Sequence, residues 1–120
     1  MDPSSVVVSL KTLITDFYIL GKYTKQAEKQ LQDFRNGRNW ELCQMILSEQ
    51  YTQDNETPMV FCAQSCSEFV TRYWLEEPHH LKEQRRNFVW TFLTSRVTGE
   101  AAVPFNLINT MINVSPFVIT

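Results

Sequence analysis

A chain of 120 residues, of which 43% are hydrophobic and 20% charged, is long enough for one modest hydrophobic core and too short for two. The formal net charge of -2 provides no basic surface, so we expect neither nucleic acid nor a membrane as a partner. Three cysteines leave an odd thiol in any disulfide scheme, which favours a reducing compartment. No apolar run in the sequence is as long as a membrane span.

The first third of the chain predicts a helical hairpin. Asp2-Pro3 is a helix-start signature, and the apolar residues after it share one arc, which predicts a helix from about Ser4 to Tyr18. Gly21 is expected to end this helix in the left-handed conformation. A second helix should follow Thr24 and end at Gly37, with a narrow apolar line and a wide polar face.

The middle of the chain predicts a short third helix, capped by Asn39, and a long central helix over residues 57–74. Thr57 is expected to cap the central helix, and Pro58 to occupy its first position, where a missing donor costs little. Its apolar arc is wide and comprises Met59, Cys62, Ala63, Cys66, Phe69, Val70, Tyr73 and Trp74. The polar side should hold Gln64, Ser65, Glu68, Thr71 and Arg72. An arc this wide requires neighbours on more than one flank.

The last third predicts a fifth helix over residues 79–96, which Gly99 ends, with Arg85 and Arg96 at the edges of its apolar arc. The stretch after it allows at most a short helix from Pro104, because three asparagines are poor helix formers and Pro116 should stop it. The alternative for the final FVIT is an edge strand, for which the chain offers no partner strand.

The helices form antiparallel pairs whose first members begin near Ser4, Trp40 and His79. A recurrence of about 40 residues is typical of two-helix HEAT or armadillo repeats. The sequence therefore predicts an all-α fold in which antiparallel helix pairs stack as a short HEAT-like right-handed solenoid. A closed helical bundle built from the same helices is the alternative, since periodicity does not distinguish stacking from closure.

Chemistry-bearing residues are few. Cys62 and Cys66 lie four apart on a helix and could share a metal ion with Cys43 or with the His79-His80 pair. Their place within the apolar arc favours core packing instead, and no phosphate loop or nucleophile motif is present. We therefore expect no enzyme, no cofactor and no metal. Core positions are also expected for the three tryptophans, Trp40, Trp74 and Trp90.

Three segments carry a family resemblance: AEKQLQDF at 27–34, NWELCQMIL at 39–47 and FCAQSCSEFVTRYW at 61–74. In that order and spacing they resemble the N-terminal domain of the importin-β/exportin family of nuclear transport receptors. The opening SLKTLITDFY is most similar to the exportin branch, closest to its exportin-six group, with the exportin-four group also near. The resemblance covers about residues 9–96 and rests on the combination of segments, since none is diagnostic alone.

This resemblance implies a division of the chain. Residues 1–98 correspond to the N-terminal HEAT helices of the family, and residues 99–120 form a divergent C-terminal segment. Family members continue from a Pro-Phe pair like the one at 104–105 into a well-formed helix with a basic residue. Here NLINTMINVSPFVIT follows, which we interpret as a truncation.

The resemblance also implies a function without catalysis, in nuclear export of protein cargo between nucleus and cytoplasm. In this family the second helices of the first repeats contact the GTP-bound form of the small GTPase Ran. Candidate contact residues are the polar residues of the second helices: Lys25, Glu28, Lys29, Gln32, Gln64, Glu68 and Arg72. The cargo is undetermined, with actin–profilin implied only by the exportin-six likeness. The alternative is a standalone helical adaptor that binds a partner helix or peptide in a groove.

Overall fold

The computed structural model describes residues 3–98 and 105–119, which contain helices and turns but no strand. The helices are α1 (Pro3–Tyr18), α2 (Lys25–Asn36), α3 (Trp40–Leu47), α4 (Glu56–Tyr73), α5 (His79–Thr98) and α6 (Phe105–Ile119). Short 3-10 turns precede and follow α4 at Gln53–Asn55 and Trp74–Glu76. The all-α prediction is confirmed. Among these helices none is both long and apolar enough to cross a bilayer.

The connection from α1 to α2 has the predicted local chemistry. Gly21 has a φ of 71°, and the backbone amide of the next residue, Lys22, donates to the Asp16 carbonyl at 2.8 Å. Left-handed backbone of this kind favours glycine because it has no Cβ. The Thr24 hydroxyl accepts from the Ala27 amide at 3.0 Å and caps α2. Both helix boundaries therefore follow from single residues.

The connection from α2 to α3 is shorter and uses its capping residue differently. Asn39 occupies the predicted cap position of α3, but its side chain makes no bond to that helix. Its amide nitrogen instead donates to the Phe34 carbonyl at 2.9 Å, which satisfies one of the free carbonyls at the end of α2. Asn39 thus ties the two helices together at their junction.

Helix α4 begins earlier than the sequence predicts. Asn55 is its cap residue and Glu56 its first residue, so Thr57 lies inside the first turn and the prediction of a Thr57 cap is wrong. The preceding 3-10 turn explains the shift, because Thr52 and Asn55 form a reciprocal capping box there. Pro58 still falls in the first turn, where no helical hydrogen bond is lost.

Helix α4 is the centre of the fold, in contact with α1, α2, α3 and α6. Its buried residues are Pro58, Met59, Phe61, Cys62, Ala63, Ser65, Cys66, Phe69 and Val70. Ser65 corrects the prediction of a polar side, since it is buried and its hydroxyl donates to the Phe61 carbonyl at 3.0 Å. Because four helices pack around α4, its buried surface extends beyond the arc of hydrophobic residues.

Helix α5 buries Val89 and Phe92 as predicted, while two of its residues differ from expectation. Trp90 is 60% exposed rather than in the core. Arg85, predicted at the edge of the apolar arc, is buried, because carboxylates from the preceding turn and from α3 pair with it. The predicted end of this helix at Gly99 and the side chain of Arg96 lie outside the described residues.

Helix α6 is longer than predicted and continues past Pro116 to Ile119, so both the early stop and the edge-strand alternative are wrong. Leu107, Met111 and Val114 are fully buried along one face, which packs against α4 and α5. Burying each such side chain contributes about 1.5–3 kcal/mol. Three of them offset the roughly 3 kcal/mol that an interior proline costs, so tertiary packing decides the length of this helix.

Candidate functional site

The seven residues predicted to contact a partner all lie on α2 and α4, two helices that pack against each other. Glu68 is half-buried, and the other six are exposed. The wide polar face of α2 arises because Leu31 is its only buried residue. These helices therefore present an accessible polar surface.

The structure gathers three of the seven around two small grooves. Glu28 and Gln32 line a groove of about 260 Å³ between the end of α1 and α2. Gln64 lines a second groove of about 220 Å³ with Glu56 and other residues of α4. Tyr18, at the end of α1, lines both grooves and lies between them.

The boundary between the grooves is built by an arginine and two aromatic rings. The guanidinium of Arg35 lies 4.8 Å from the ring centre of Phe61, and its Nη2 donates to the Tyr18 hydroxyl at 3.2 Å. The Tyr18 and Phe61 rings are 6.2 Å apart. Stacking on an aromatic face suits the planar, weakly hydrated guanidinium. Arg35 is thus held in place rather than extended into solvent.

Sequence reasoning missed these three residues as part of a site. The sequence analysis places Tyr18 at the end of α1, leaves Phe61 outside the apolar arc of α4 and gives Arg35 no role. The available signal was composition, since arginine and tyrosine are enriched at protein interfaces while lysine and glutamate are depleted. A selection of polar residues on a helical wheel does not use this signal.

The other four candidates do not join the grooves. Glu68 and Arg72 pair with each other one turn apart on α4, with Nε to Oε2 at 3.1 Å. Lys25 and Lys29 project from α2 without lining either groove. The predicted face is therefore divided into an aromatic region near the α1–α2 turn and a charged region farther along α4.

The three cysteines meet in the core, where α3 packs on α4, and all are free and buried. Hydrogen bonds from the Cys62 and Cys66 thiols lower the pKa of Cys43 to about 5. The hydrogen bond to Cys43 is the main cause that raises the pKa of Cys62, and burial is the second. Burial is the main cause that raises the pKa of Cys66, and the hydrogen bond to Cys43 is the second. Within the described residues no group of three or more His, Cys, Asp or Glu side chains could hold a metal ion.

Two larger grooves lie elsewhere. One of about 730 Å³ runs along α1 and is lined by α1, α2 and the start of α3, with Leu13, Phe34 and Leu42 among its apolar residues. The other, of about 530 Å³, separates α3 from α5 beside Met45 and Leu81. The second groove also has polar lining residues, among them Glu41, Gln44 and Arg85.

Comparison with known proteins gives no match for this chain: no family model, no curated protein and no solved structure is significantly similar to it.

Proposed function

We propose that this chain is the N-terminal portion of an exportin-like nuclear transport receptor that binds Ran-GTP in nuclear export of protein cargo. The importin-β/exportin resemblance of residues 9–96 motivates the proposal. The chain would act in the nucleus and the cytoplasm, without catalysis. Its helix pairs would stack as a short HEAT-like right-handed solenoid, and the face formed by α2 and α4 would meet the GTPase.

The observation that carries the proposal is the packing order of the second helices. Helix α4 contacts α2 of the preceding hairpin and α6 of the following one, and each hairpin also packs its own two helices together. Stacked repeats in which each unit contacts its neighbours have this pattern, and their second helices line one continuous surface. The pattern supports a solenoid over a closed bundle, in which the helices surround a shared axis.

The chemistry of this surface supports a protein partner. Exposed polar residues of α2 and α4 surround Tyr18 and the half-buried Arg35, and aromatic and arginine residues supply much of the binding energy in protein interfaces. In a complete receptor, Ran-GTP and cargo would each favour one curvature of the helix stack and so raise each other's affinity.

The test is calorimetric titration of the 120-residue chain with Ran loaded with GTP or with GDP, alongside its mass by light scattering. Binding that prefers the GTP form is the expected result. Lys29→Ala and Arg72→Ala should weaken that binding, whereas the control Lys82→Ala on α5 should not. Equal affinity for the two nucleotide forms, or no binding by a folded monomer, would refute the proposal.

The second candidate function is a standalone helical adaptor, favoured by the groove of about 730 Å³ along α1. Leu13, Phe34 and Leu42 give it an apolar lining suited to the hydrophobic side of a partner helix. An adaptor would be a stable monomer indifferent to the nucleotide on Ran. The titration described above therefore separates the two functions.

A further inference from the structure

Three cysteines form a cluster in the core that the proposed function does not use. Cys43 lies on α3 and is 1% exposed, while Cys62 and Cys66 lie one turn apart on α4 and are both 0% exposed. The thiol of Cys43 is hydrogen-bonded to both of the others, and all three are free. Cys43 therefore has two possible disulfide partners across the contact between α3 and α4.

Geometry favours a bond between the helices over one within α4. Residues four apart on a helix have Cβ atoms about 5–6 Å apart, whereas a disulfide requires about 3.5–4.5 Å. Of the two partners on α4, Cys62 is the more strongly coupled to Cys43. The hydrogen bond to Cys43 is the main cause that raises the pKa of Cys62, whereas for the pKa of Cys66 the main cause is burial.

The ionisation of the three thiols suits attack on an oxidant by Cys43. Hydrogen bonds from Cys62 and Cys66 lower the pKa of Cys43 to about 5, so this group is a thiolate at neutral pH. Thiolates, rather than thiols, are the nucleophiles in reactions of cysteine. A second thiol beside an oxidised cysteine converts its sulfenic acid to a disulfide.

Access to the buried cluster requires an opening of α3. At eight residues, Trp40–Leu47 is the shortest of the described α-helices, and its cap residue Asn39 makes no side-chain bond to it. Short helices depend on tertiary packing, and single elements open at a lower free energy than the whole fold. A small, uncharged oxidant such as hydrogen peroxide is therefore suited to reach Cys43.

We propose that Cys43 and Cys62 form a redox-sensitive pair that hydrogen peroxide converts to a disulfide between α3 and α4, with Cys66 left as a thiol. The Cys43 sulfur attacks one peroxide oxygen, the O–O bond breaks, and the departing hydroxide takes up a proton to give water and a sulfenic acid. The Cys62 sulfur then attacks the Cys43 sulfur, the S–O bond breaks, and the Cys62 proton leaves with the hydroxyl group as a second water. One peroxide thus accepts the two electrons that two thiols give up.

The disulfide would fasten α3 to α4 reversibly. It closes the loop between residues 43 and 62, which restricts the unfolded chain and so favours the folded one. In a reducing compartment such bonds are transient and signal the presence of an oxidant. The inference does not depend on the proposed function, because it concerns the core rather than the surface of α2 and α4.

The experiment treats the folded, reduced 120-residue chain with hydrogen peroxide, unfolds it in an alkylating reagent and maps its cysteines by mass spectrometry. Cleavage after Glu49 and Glu56 separates Cys43 from the other two cysteines, and fragmentation of the product distinguishes Cys62 from Cys66. The expected product joins Cys43 to Cys62 and carries the alkyl group on Cys66. Oxidation should also raise the urea midpoint, and a thiol reductant should restore the original value.

Two alanine variants test the assignment of the pair. Cys66→Ala is the matched control, since it removes a buried thiol of the same cluster but keeps the proposed pair, and it should still form the disulfide. Cys43→Ala should form none, and circular dichroism before oxidation shows whether each variant folds. The map of the unchanged chain decides the question without the variants. A bond to Cys66, alkylation of both Cys43 and Cys62, or a disulfide that forms only in urea would overturn the inference.

Discussion

Two arginine–glutamate pairs in this protein differ chiefly in their burial. Arg85 Nη1 lies 2.7 Å from Glu77 Oε2, and both side chains are only 5% exposed. Arg72 Nε lies 3.1 Å from Glu68 Oε2, with side chains 49% and 42% exposed. The first pair has lost its water, so its members depend on each other, whereas solvent can replace either member of the second.

The surroundings of the buried pair explain its position. The guanidinium of Arg85 lies over the ring of Phe69 at 4.7 Å, and its other amino group donates to Glu41 at 2.8 Å. Glu77 also pairs with Arg38, in the connection between α2 and α3, at 3.3 Å. The cluster therefore fixes the connection before α5 against the connection before α3. The contacts of this cluster with Arg38 and Glu41 thus join the start of α5 to the start of α3, while the exposed pair joins only neighbouring turns of α4.

The largest expected effect tests the buried pair. Arg85→Ala should lower the free energy of unfolding by about 3–5 kcal/mol, because it leaves the Glu77 carboxylate buried without its closest positive charge. Urea denaturation followed by circular dichroism measures this change. A loss below about 1 kcal/mol, the range of exposed pairs, would show that water reaches Glu77.

The control for this prediction removes both charges together. A variant carrying Arg85→Met and Glu77→Leu should recover most of the lost stability, since buried pairs are often replaced by apolar residues without net cost. Arg38 retains Glu76 as a partner in that variant. The Arg85 guanidinium also lies 5.7 Å from the ring centre of Trp40. If the double variant is as unstable as Arg85→Ala, the arginine stabilises the fold through the rings of Phe69 and Trp40 rather than through Glu77.

The contrast between the two pairs also shows what sequence could predict. Helix order, the α1–α2 turn and the core positions of α4 followed from apolar periodicity and from Gly21 and Thr24, because these are local properties. Burial of Arg85 depends on Glu41 and Glu77 and on two rings from other helices, which no local pattern indicates. The length of α6 was missed for the same reason, since its packing on α4 and α5 outweighs its poor helix formers.

The candidate site was predictable only as a face. Exposure of Lys25, Glu28 and Lys29 follows from the polar circumference of α2. The grooves beside Tyr18 depend on how the end of α1 meets α2 and α4, a tertiary relation that spacing within one helix does not contain.

The next largest expected effect concerns two buried thiols, those of Cys62 and Cys66. Because the pKa values of Cys62 and Cys66 are raised in the folded chain, both thiols stay protonated there at a pH where the unfolded chain ionises them. Stability should therefore fall as the pH rises above about 9, by at most about 1.4 kcal/mol per pH unit for each thiol. The lowered pKa of Cys43 acts in the opposite direction until the unfolded Cys43 thiol has ionised, so it opposes this fall below about pH 9 and adds no further change above it.

Urea denaturation at several pH values between about 8 and 10 measures this slope. The variant with Cys62→Ala and Cys66→Ala removes both raised groups and also the hydrogen bonds that lower the pKa of Cys43, which leaves one buried thiol. Above about pH 9 its stability should therefore fall less steeply than that of the unchanged chain. Identical slopes in the two proteins would contradict the linkage and point to other groups that titrate in this range.

A smaller effect separates the two partners of Arg85. The side chain of Glu41 is 71% exposed, so its ion pair with Arg85 is accessible to water on one side. Glu41→Ala should lower the free energy of unfolding by only about 0.2–1 kcal/mol, as for other exposed pairs. A cost comparable to that of Arg85→Ala would show that Glu41, rather than Glu77, provides the principal counter-charge.

The smallest effect tests the exposed pair. Arg72→Ala should change the free energy of unfolding by about 0.3–0.5 kcal/mol, the usual contribution of a pair one turn apart on a helix surface. The same substitution should weaken Ran-GTP binding under the proposed function, so its effect on binding would exceed its effect on stability. Urea denaturation and calorimetry on one preparation compare the two. A stability loss above about 1 kcal/mol would remove the distinction between the pairs, because Arg72 would then be needed by the fold itself.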